Sequence, residues 1–345
     1  MPRALVLSIA LALAWVAAAS GQEPVRATLR GVVVSESGER VAYAVVLLAP
    51  AFGRRFADES GSFAFTDVVP GDYRLVVRQV GFVPFDSTVS VSPATPGLRI
   101  ALRRVAVELT ELVVAVSGSC RAPSAPDSAS NPALWRIFEQ LRLNAERYRL
   151  LLDQYPFRYT ITRQLADLRR DGRETTRTDT MSLRSNSRWP YAPGRVVTDD
   201  PIEGRSGVRN VHLPVLADFA DSAFQNSHCF HLAGLDSLDG RAVVRLDFRA
   251  AESLRQPDVD GSAYLDPVNY QVRHTSVTLT RLDRAAAGVT SWIATATFRE
   301  LRPNLIVVDR ISALTTIQAG PGRGTIVGRS ELQRLTRVEF DRPLP

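Results

Sequence analysis

The sequence predicts a mainly β protein, with an N-terminal seven-stranded β-sandwich and a C-terminal α+β domain of one long helix and a curved antiparallel sheet. Three observations support this class. Short apolar segments of period two recur between turn residues over residues 25–115. A single segment of helical period begins near residue 132, and strand-like segments with hairpin signals fill the remainder. A length of 345 residues fits two domains.

Residues 1–21 have the pattern of a secretory signal peptide. Arg3 supplies a positive charge, residues 4–18 are apolar, and the small residues 19–21 form a cleavage site. An uncleaved anchor helix is the alternative. No later stretch is apolar over the ~18 residues that a membrane helix needs. We therefore expect an exported protein, periplasmic or associated with the outer membrane, with no transmembrane helix after signal cleavage.

Residues 25–115 carry the predicted sandwich. The turn residues Ser37-Gly38, Asp58 to Gly61 and Pro70-Gly71 separate the apolar segments. Tyr73, Leu75 and Val77 alternate along one segment and so share one face. The predicted strand segments are 28–34, 44–48, 63–65, 73–77, 87–91 and 98–102.

This region resembles a known family. The motifs that carry the resemblance recur in order: Gly31-Val-Val-Val, Ala44-Val-Val-Leu, Asp58-x-x-Gly-x-Phe63, Val69-Pro-Gly-Asp-Tyr73 and Val80-Gly-Phe82. They are similar to the carboxypeptidase regulatory-like domain, a transthyretin-like sandwich of about seven strands. The resemblance implies a domain that performs no chemistry itself and that in bacterial envelope proteins precedes larger assemblies. Some related folds bind carbohydrate, which implies glycan binding as a further possibility.

Two short segments follow the sandwich. Residues 107–116 resemble the strand that leads into the plug of TonB-dependent receptors, but too few residues remain for a receptor barrel. Residues 116–131 are rich in Ser, Pro, Ala and Gly and are predicted to be a linker.

Residues 132–345 form the predicted second domain. A helix capped by Asn131 begins at Pro132 and ends before Pro156. Hairpin signals follow at residues 170–173 and at Asp239-Gly240, and Asp260-Gly261 is expected to precede a third strand. This order of a helix and a curved meander is similar to the half-barrel of periplasmic lipoprotein carriers, which hold acyl chains. It is also similar to uncharacterised domains of other envelope proteins.

Cys120 and Cys229 are the two cysteines of the chain. An oxidising compartment favours a disulfide between them. The alternative is two separate buried thiols.

Residues of metal-ligand type cluster only at His228, Cys229 and His231, with His212 as a distant fourth. Neighbouring positions on a strand point to opposite faces, so we expect no metal site. The run from Asp258 to Gly261 lacks the further oxygen ligands of a calcium loop. It is interpreted as a hairpin turn, which Asp and Gly residues favour. The chain has no recognisable catalytic motif, and we expect no catalytic, cofactor-binding or metal-binding residues.

The charge and composition of the chain limit the classes of partner that it is expected to bind. The formal net charge is +6, all 42 basic residues are arginine, and they are spread along the chain. This distribution argues against nucleic acid as a partner. The first hypothesis is a non-enzymatic envelope protein that binds an envelope protein or an amphiphilic ligand such as lipid. The alternatives are carbohydrate binding through the sandwich and a hydrolase with a spatially assembled carboxylate pair.

Overall fold

The computed structural model describes residues 26–50, 52–106, 119–187, 189–199, 209–318 and 326–345. The predicted signal peptide, the segment 107–116 and part of the predicted linker therefore lie outside the described residues.

The N-terminal part is a sandwich of two sheets, as the sequence predicts. One sheet has the strand order β4-β1-β7 and the other has the order β3-β2-β5-β6. Inward-facing residues such as Leu29, Phe65 and Leu75 are fully buried between the sheets. The strands are β1 (Ala27–Ser35), β2 (Val45–Ala49), β3 (Phe52–Phe56), β4 (Ser62–Val68), β5 (Gly71–Arg78), β6 (Phe85–Val91) and β7 (Leu98–Leu102).

Strand β3 is absent from the strand segments predicted above. Its sequence, Phe-Gly-Arg-Arg-Phe, contains two adjacent arginines and a glycine, and so lacks the alternation that identifies a half-buried strand. The strand lies at the edge of its sheet, where Gly53 and Arg54 face solvent. An edge strand needs less apolar surface, which explains why the sequence pattern misses it.

Helix α1 (Pro132–Gln154) has the predicted bounds. The side chain of Asn131 accepts a hydrogen bond from the backbone N–H of Leu134 at 3.0 Å, and Pro132 occupies the first turn. Ile137, Phe138 and Leu141 are buried on one side of the helix. They pack on the large sheet, so this apolar stripe serves packing as the sequence predicts.

The C-terminal part is one nine-stranded antiparallel sheet, with the order β12-β13-β14-β15-β16-β17-β18-β8-β9. Strands β12 to β18 follow the chain order, and β8 and β9 join the far end through β18. The strands are β8 (Phe157–Arg169), β9 (Glu174–Arg184), β12 (His228–Leu238), β13 (Arg241–Ala250), β14 (Val259–Leu265), β15 (Val272–Leu279), β16 (Val289–Arg302), β17 (Leu305–Ile317) and β18 (Ile326–Phe340).

The remaining elements are short. Strands β10 (Val197–Asp199) and β11 (Arg209–Val211) form a separate two-stranded sheet. A 3₁₀ turn (Leu216–Ala220) and helices α2 (Ser222–Gln225) and α3 (Leu282–Ala285) accompany the large sheet. None of the helices among the described residues combines the length and apolarity needed to cross a membrane.

The prediction that Asp260 and Gly261 form a turn before a strand is wrong. Both residues lie inside β14, where Gly261 is paired with Val277 of β15 and with Phe248 of β13. A Cβ atom at Gly261 would lie 2.3 Å from the carbonyl oxygen of Ser276 and 2.6 Å from the Phe248 ring. The glycine is therefore explained by close packing inside the sheet rather than by turn geometry.

Candidate ligand-binding site

The space between α1 and the sheet, where an amphiphilic ligand was expected, is occupied by side chains. The rings of Phe138 and Phe230 lie 4.7 Å apart, and those of Phe219 and Phe248 lie 5.3 Å apart. Phe138, Phe219 and Phe248 are each at most 2% exposed. These side chains belong to the main hydrophobic core.

A buried polar stripe on α1 joins the sandwich to the large sheet. Gln140, Asn144 and Arg147 lie on successive turns, and each is at most 6% exposed. Gln140 accepts a hydrogen bond from the backbone N–H of Gly81 in the sandwich at 2.7 Å. Asn144 donates to the carbonyl oxygen of Tyr270, between β14 and β15 of the large sheet, at 2.8 Å. One helix thus holds both parts through polar contacts.

Arg147 is the centre of this junction. Its guanidinium donates to the carbonyl oxygen of Tyr43 at 2.7 Å, to Oε1 of Gln79 at 2.5 Å and to the carbonyl oxygen of Asn304 at 2.8 Å. Its Cζ atom lies 5.5 Å from the centre of the Phe56 ring. Burial lowers the pKa of the guanidinium to about 9, so the group still carries its charge at pH 7. Protein oxygens engage this cation, which makes its role structural.

An open groove lies beside the junction, on the outer side of the sandwich. Its volume is about 1120 Å³. We call it the arginine groove, because five arginines line it: Arg30, Arg54, Arg55, Arg99 and Arg342. The other lining residues combine small or polar residues, including glycines 31, 53 and 97, Ser62 and Gln154, with apolar and aromatic ones, including Val32, Phe63 and Leu98.

The fold explains how arginines distant in sequence meet in this groove. Arg30 lies opposite Ala64 across the β1–β4 pair, and Arg99 lies opposite Val32 across the β1–β7 pair. Along β1, Arg30 is exposed and Val32 is half-buried, whereas Leu29 and Val33 are buried in the sandwich core. The outer face of the three-stranded sheet therefore presents Arg30 and Arg99 to solvent.

The C-terminal part completes the groove. Gln154 and Tyr155, at the end of α1, and Arg342, after the last strand, belong to its lining. The Nε2 atom of Gln154 donates to the carbonyl oxygen of Arg54 at 2.5 Å. The Cζ atom of Arg342 lies 4.8 Å from the centre of the Tyr155 ring. The arginine groove is consequently shared by the sandwich and the part that follows it.

The arginines of the groove differ in the hydrogen bonds and ion pairs that their guanidinium groups form with the rest of the protein. Arg55 donates to the carbonyl oxygen of Ala64 at 2.9 Å, and Arg54 lies 3.7 Å from a carboxylate oxygen of Glu146. Arg30 and Arg99 are exposed and form no ion pair with a carboxylate among the described residues. These two guanidinium groups are therefore available to a ligand.

Asp58 is the acidic residue in the lining of the groove. Its Oδ1 atom accepts hydrogen bonds from the Ser60 hydroxyl at 2.7 Å and from the backbone N–H of Ser62 at 2.8 Å. This carboxylate is engaged in holding the turn before β4. The groove is thus strongly cationic, and planar guanidinium groups suit carboxylate, sulfate or phosphate groups.

The structure separates the residues that the sequence grouped as metal-ligand types. The Sγ atoms of Cys120 and Cys229 are bonded, and their Cα atoms lie 5.5 Å apart. His228 is fully buried, whereas His231 is exposed on the same strand. His212 accompanies Trp189, with the two rings stacked 4.4 Å apart. In the described part of the chain, no group of three or more His, Cys, Asp or Glu side chains is placed to hold a metal ion.

Asp258, which was interpreted as turn chemistry, is a fully buried carboxylate. It accepts hydrogen bonds from the Tyr191 hydroxyl at 2.9 Å and from the backbone N–H groups of Gly194 and Val259, each at 2.8 Å. Burial, together with the charge of Asp258, raises the pKa of Tyr191 above its ordinary value. The carboxylate thus anchors the 191–194 segment to β14, a role that a sequence pattern could not indicate.

Sequence reasoning missed the arginine groove. Each contributing segment contains one or two arginines, and the chain has arginines throughout. The available signal was the outward position of Arg30 and Arg99 on predicted strands, but the groove also needs β3 and the end of α1. The site emerges only when these elements are brought together.

Comparison with known proteins identifies part of the chain. Residues 28–103 match the model of the carboxypeptidase regulatory-like domain. No curated protein matches the sequence.

Solved structures of low identity resemble the chain over about three fifths of its length. A DUF1329 family protein from Desulfovibrio piger is 11% identical and has a TM-score of 0.34, with 61% of this chain and 95% of that chain covered. An outer membrane lipoprotein-sorting protein domain from Vibrio parahaemolyticus is 11% identical, with a TM-score of 0.33 and coverages of 61% and 93%. A LolA superfamily protein from Nitrosomonas europaea is also 11% identical, with a TM-score of 0.29 and coverages of 60% and 94%.

The family match and the two-sheet sandwich agree in position and in fold. Residues 28–103 of this chain form a carboxypeptidase regulatory-like domain.

Proposed function

We propose that this chain is an exported, non-enzymatic binding protein of the cell envelope, and that its arginine groove binds an acidic carbohydrate polymer. One observation carries the proposal: five arginines line a single open groove, whose acidic residue Asp58 is already engaged by its own turn. A site of this charge attracts anionic ligands and binds them through bidentate hydrogen bonds.

The shape of the groove favours an extended ligand over a small anion. A small anion is usually held in a closed pocket, whereas this groove is open to solvent and spans the outer faces of β1, β4 and β7. Its glycines keep part of the surface free of side chains, and Ser62 and Gln154 add hydroxyl and amide groups. Such a surface suits a chain of sugar units that carry carboxylates at intervals.

The junction around Arg147 supports the same function indirectly. The groove combines residues of the sandwich with Tyr155 and Arg342, so its shape depends on the two parts keeping one orientation. The buried hydrogen bonds of Arg147 to Tyr43, Gln79 and Asn304 favour that fixed orientation. We infer that the second part serves to complete and position the groove.

Export is supported by the predicted signal peptide and by the bonded cysteines. Disulfides persist in oxidising compartments such as the periplasm. Acidic polysaccharides of the envelope are accessible to a protein in that compartment, which makes the proposed ligand class consistent with the proposed location. We also propose that the chain consists of a signal peptide (1–21), the sandwich (25–115), a linker (116–131) and a second domain (132–345).

The test is isothermal titration calorimetry of the full chain with oligogalacturonate, a polymer of uronic acid units, and with its methyl ester as the uncharged control. We expect binding to the acidic polymer alone. The double variant Arg30→Ala/Arg99→Ala should weaken binding at least about tenfold, the equivalent of roughly 1.4 kcal/mol. The matched control Arg249→Ala changes an exposed arginine of β13, outside the groove, and should leave the affinity unchanged.

Two results would contradict the proposal. Equal affinity for the methyl ester would show that charge is not recognised. Unchanged affinity in the double variant would show that the ligand binds outside the arginine groove.

A further inference from the structure

Strand β9 (Glu174–Arg184) ends the nine-stranded sheet and is paired with β8 on one side. Nine of its eleven residues are exposed, and Asp179 and Leu183 are half-buried. The strand contains no proline or glycine and has four threonines, which favour extended backbone. No strand of the described residues pairs with its outer edge, which therefore presents a row of backbone N–H and C=O groups as a template for another strand.

The charges on this edge follow a self-complementary pattern. Arg177 and Asp179 lie on the same face, two positions apart, with 3.2 Å between Arg177 Nε and Asp179 Oδ2. Their side chains are 67% and 42% exposed, so both can reach a neighbouring strand. Thr178 lies between them, near the middle of the strand.

We propose that β9 pairs with β9 of a second copy of this chain, antiparallel and with Thr178 opposite Thr178. In this register Arg177 of each copy lies opposite Asp179 of the other, so the four charges alternate in sign. The dimer has two-fold symmetry and continues the sheet from one copy into the other. This interface is separate from the arginine groove and does not depend on the ligand proposed above.

Charge selects this register over its neighbours. Side chains alternate between the two faces of a strand, so a symmetric pair that keeps each face continuous can shift only in steps of two residues. The nearest shift in one direction places Arg177 opposite Arg177, and the nearest shift in the other direction places Asp179 opposite Asp179. Like charges directly opposite each other destabilise a strand pair. The backbone ladder supplies the attraction, and the charges determine its alignment.

The experiment is sedimentation velocity of the full chain, purified from an oxidising periplasm, over a concentration series up to about 200 µM. We expect a reversible monomer–dimer equilibrium in the native protein. Arg177→Asp and Asp179→Arg should each weaken dimer formation at least about tenfold, because each places like charges opposite one another. An equimolar mixture of these two variants should restore the dimer, since one now carries two acids and the other two arginines.

Arg249→Asp is the matched control, since it makes the same change of charge at an exposed position of β13, near the opposite end of the large sheet from β9. Circular dichroism of each variant establishes that the fold is retained. A native protein that remains monomeric over the whole series would overturn the proposal. So would a dimer that both single charge reversals leave intact, or a mixture of the two variants that gains no dimer.

Discussion

Two regions of this molecule use arginine in opposite ways, and Phe56 touches both. Its ring lies 5.5 Å from Cζ of Arg147 at the buried junction, and it also lines the arginine groove. At the junction, Arg147 is buried and donates to three protein oxygens. In the groove, Arg30 and Arg99 are exposed and have no carboxylate partner among the described residues. The partners of an arginine, rather than its presence, therefore distinguish a structural role from a binding role.

The largest effect is expected at the junction. Arg147→Ala leaves the oxygens of Tyr43, Gln79 and Asn304 without their donor and opens a space in the interior. We expect the free energy of unfolding to fall by about 3–5 kcal/mol, measured by urea denaturation. Arg136→Ala, on an exposed position of the same helix, is the control and should change stability by less than about 0.5 kcal/mol. A loss below about 1 kcal/mol for Arg147→Ala would refute the structural role.

A smaller effect is expected for arginines that are paired on the sheet surface. Arg329 Nε lies 2.6 Å from Asp167 Oδ1 across β18 and β8. The hydrogen bond from Arg329 holds the pKa of the Asp167 carboxyl below its usual value. A carboxyl whose pKa is depressed in the folded state contributes stability above its unfolded pKa and loses it as pH falls through the folded pKa. The contribution should therefore begin to fall below about pH 4 and continue to fall as the pH is lowered further.

Arg329→Gln tests this expectation. The variant should lose about 0.2–1 kcal/mol at pH 7, and this loss should become smaller as the pH falls from 7 to 2, because the Asp167 carboxyl becomes protonated. Thermal unfolding as a function of pH gives the comparison. An equal loss of stability at both pH values would mean that Arg329 acts by packing rather than through its charge.

The smallest effect on stability is expected in the arginine groove. Arg30→Ala/Arg99→Ala should change the free energy of unfolding by less than about 0.5 kcal/mol, because neither side chain supports the fold. Urea denaturation beside the Arg147 variant makes the comparison direct. A loss as large as that of Arg147→Ala would show that Arg30 and Arg99 stabilise the fold, and it would remove the basis for their binding role.

Much of the fold was predictable because it follows local rules. Tyr73, Leu75 and Val77 alternate in the sandwich, and Asn131 with Pro132 marks the start of α1, where the structure has it. The polar stripe of α1 was not predictable, because its helical spacing does not show that Gln140, Asn144 and Arg147 are buried against a second region. The turn predicted at Asp260-Gly261 was wrong for a related reason. An Asp-Gly pair is typical of a turn, but here the neighbours of Gly261 across the sheet explain the glycine.

The candidate site was less predictable than the fold. Arg30, Arg54, Arg99 and Arg342 are far apart in the chain and become neighbours only through strand pairing and the packing of α1 against the sandwich. The sequence supplied a class of ligand, through the family resemblance, and the general positive charge. The location depends on long-range contacts that no local pattern encodes.

The salt dependence of oligogalacturonate binding tests the role of the arginine groove most directly, measured by calorimetry for the native chain and for Arg30→Ala/Arg99→Ala. Each guanidinium that neutralises a charge on a polyanion contributes to the slope of log Kd against log salt concentration. We expect a steep slope for the native chain and a slope shallower by about one to two in the variant. Identical slopes in the two proteins would contradict the central claim that these arginines bind an acidic polymer.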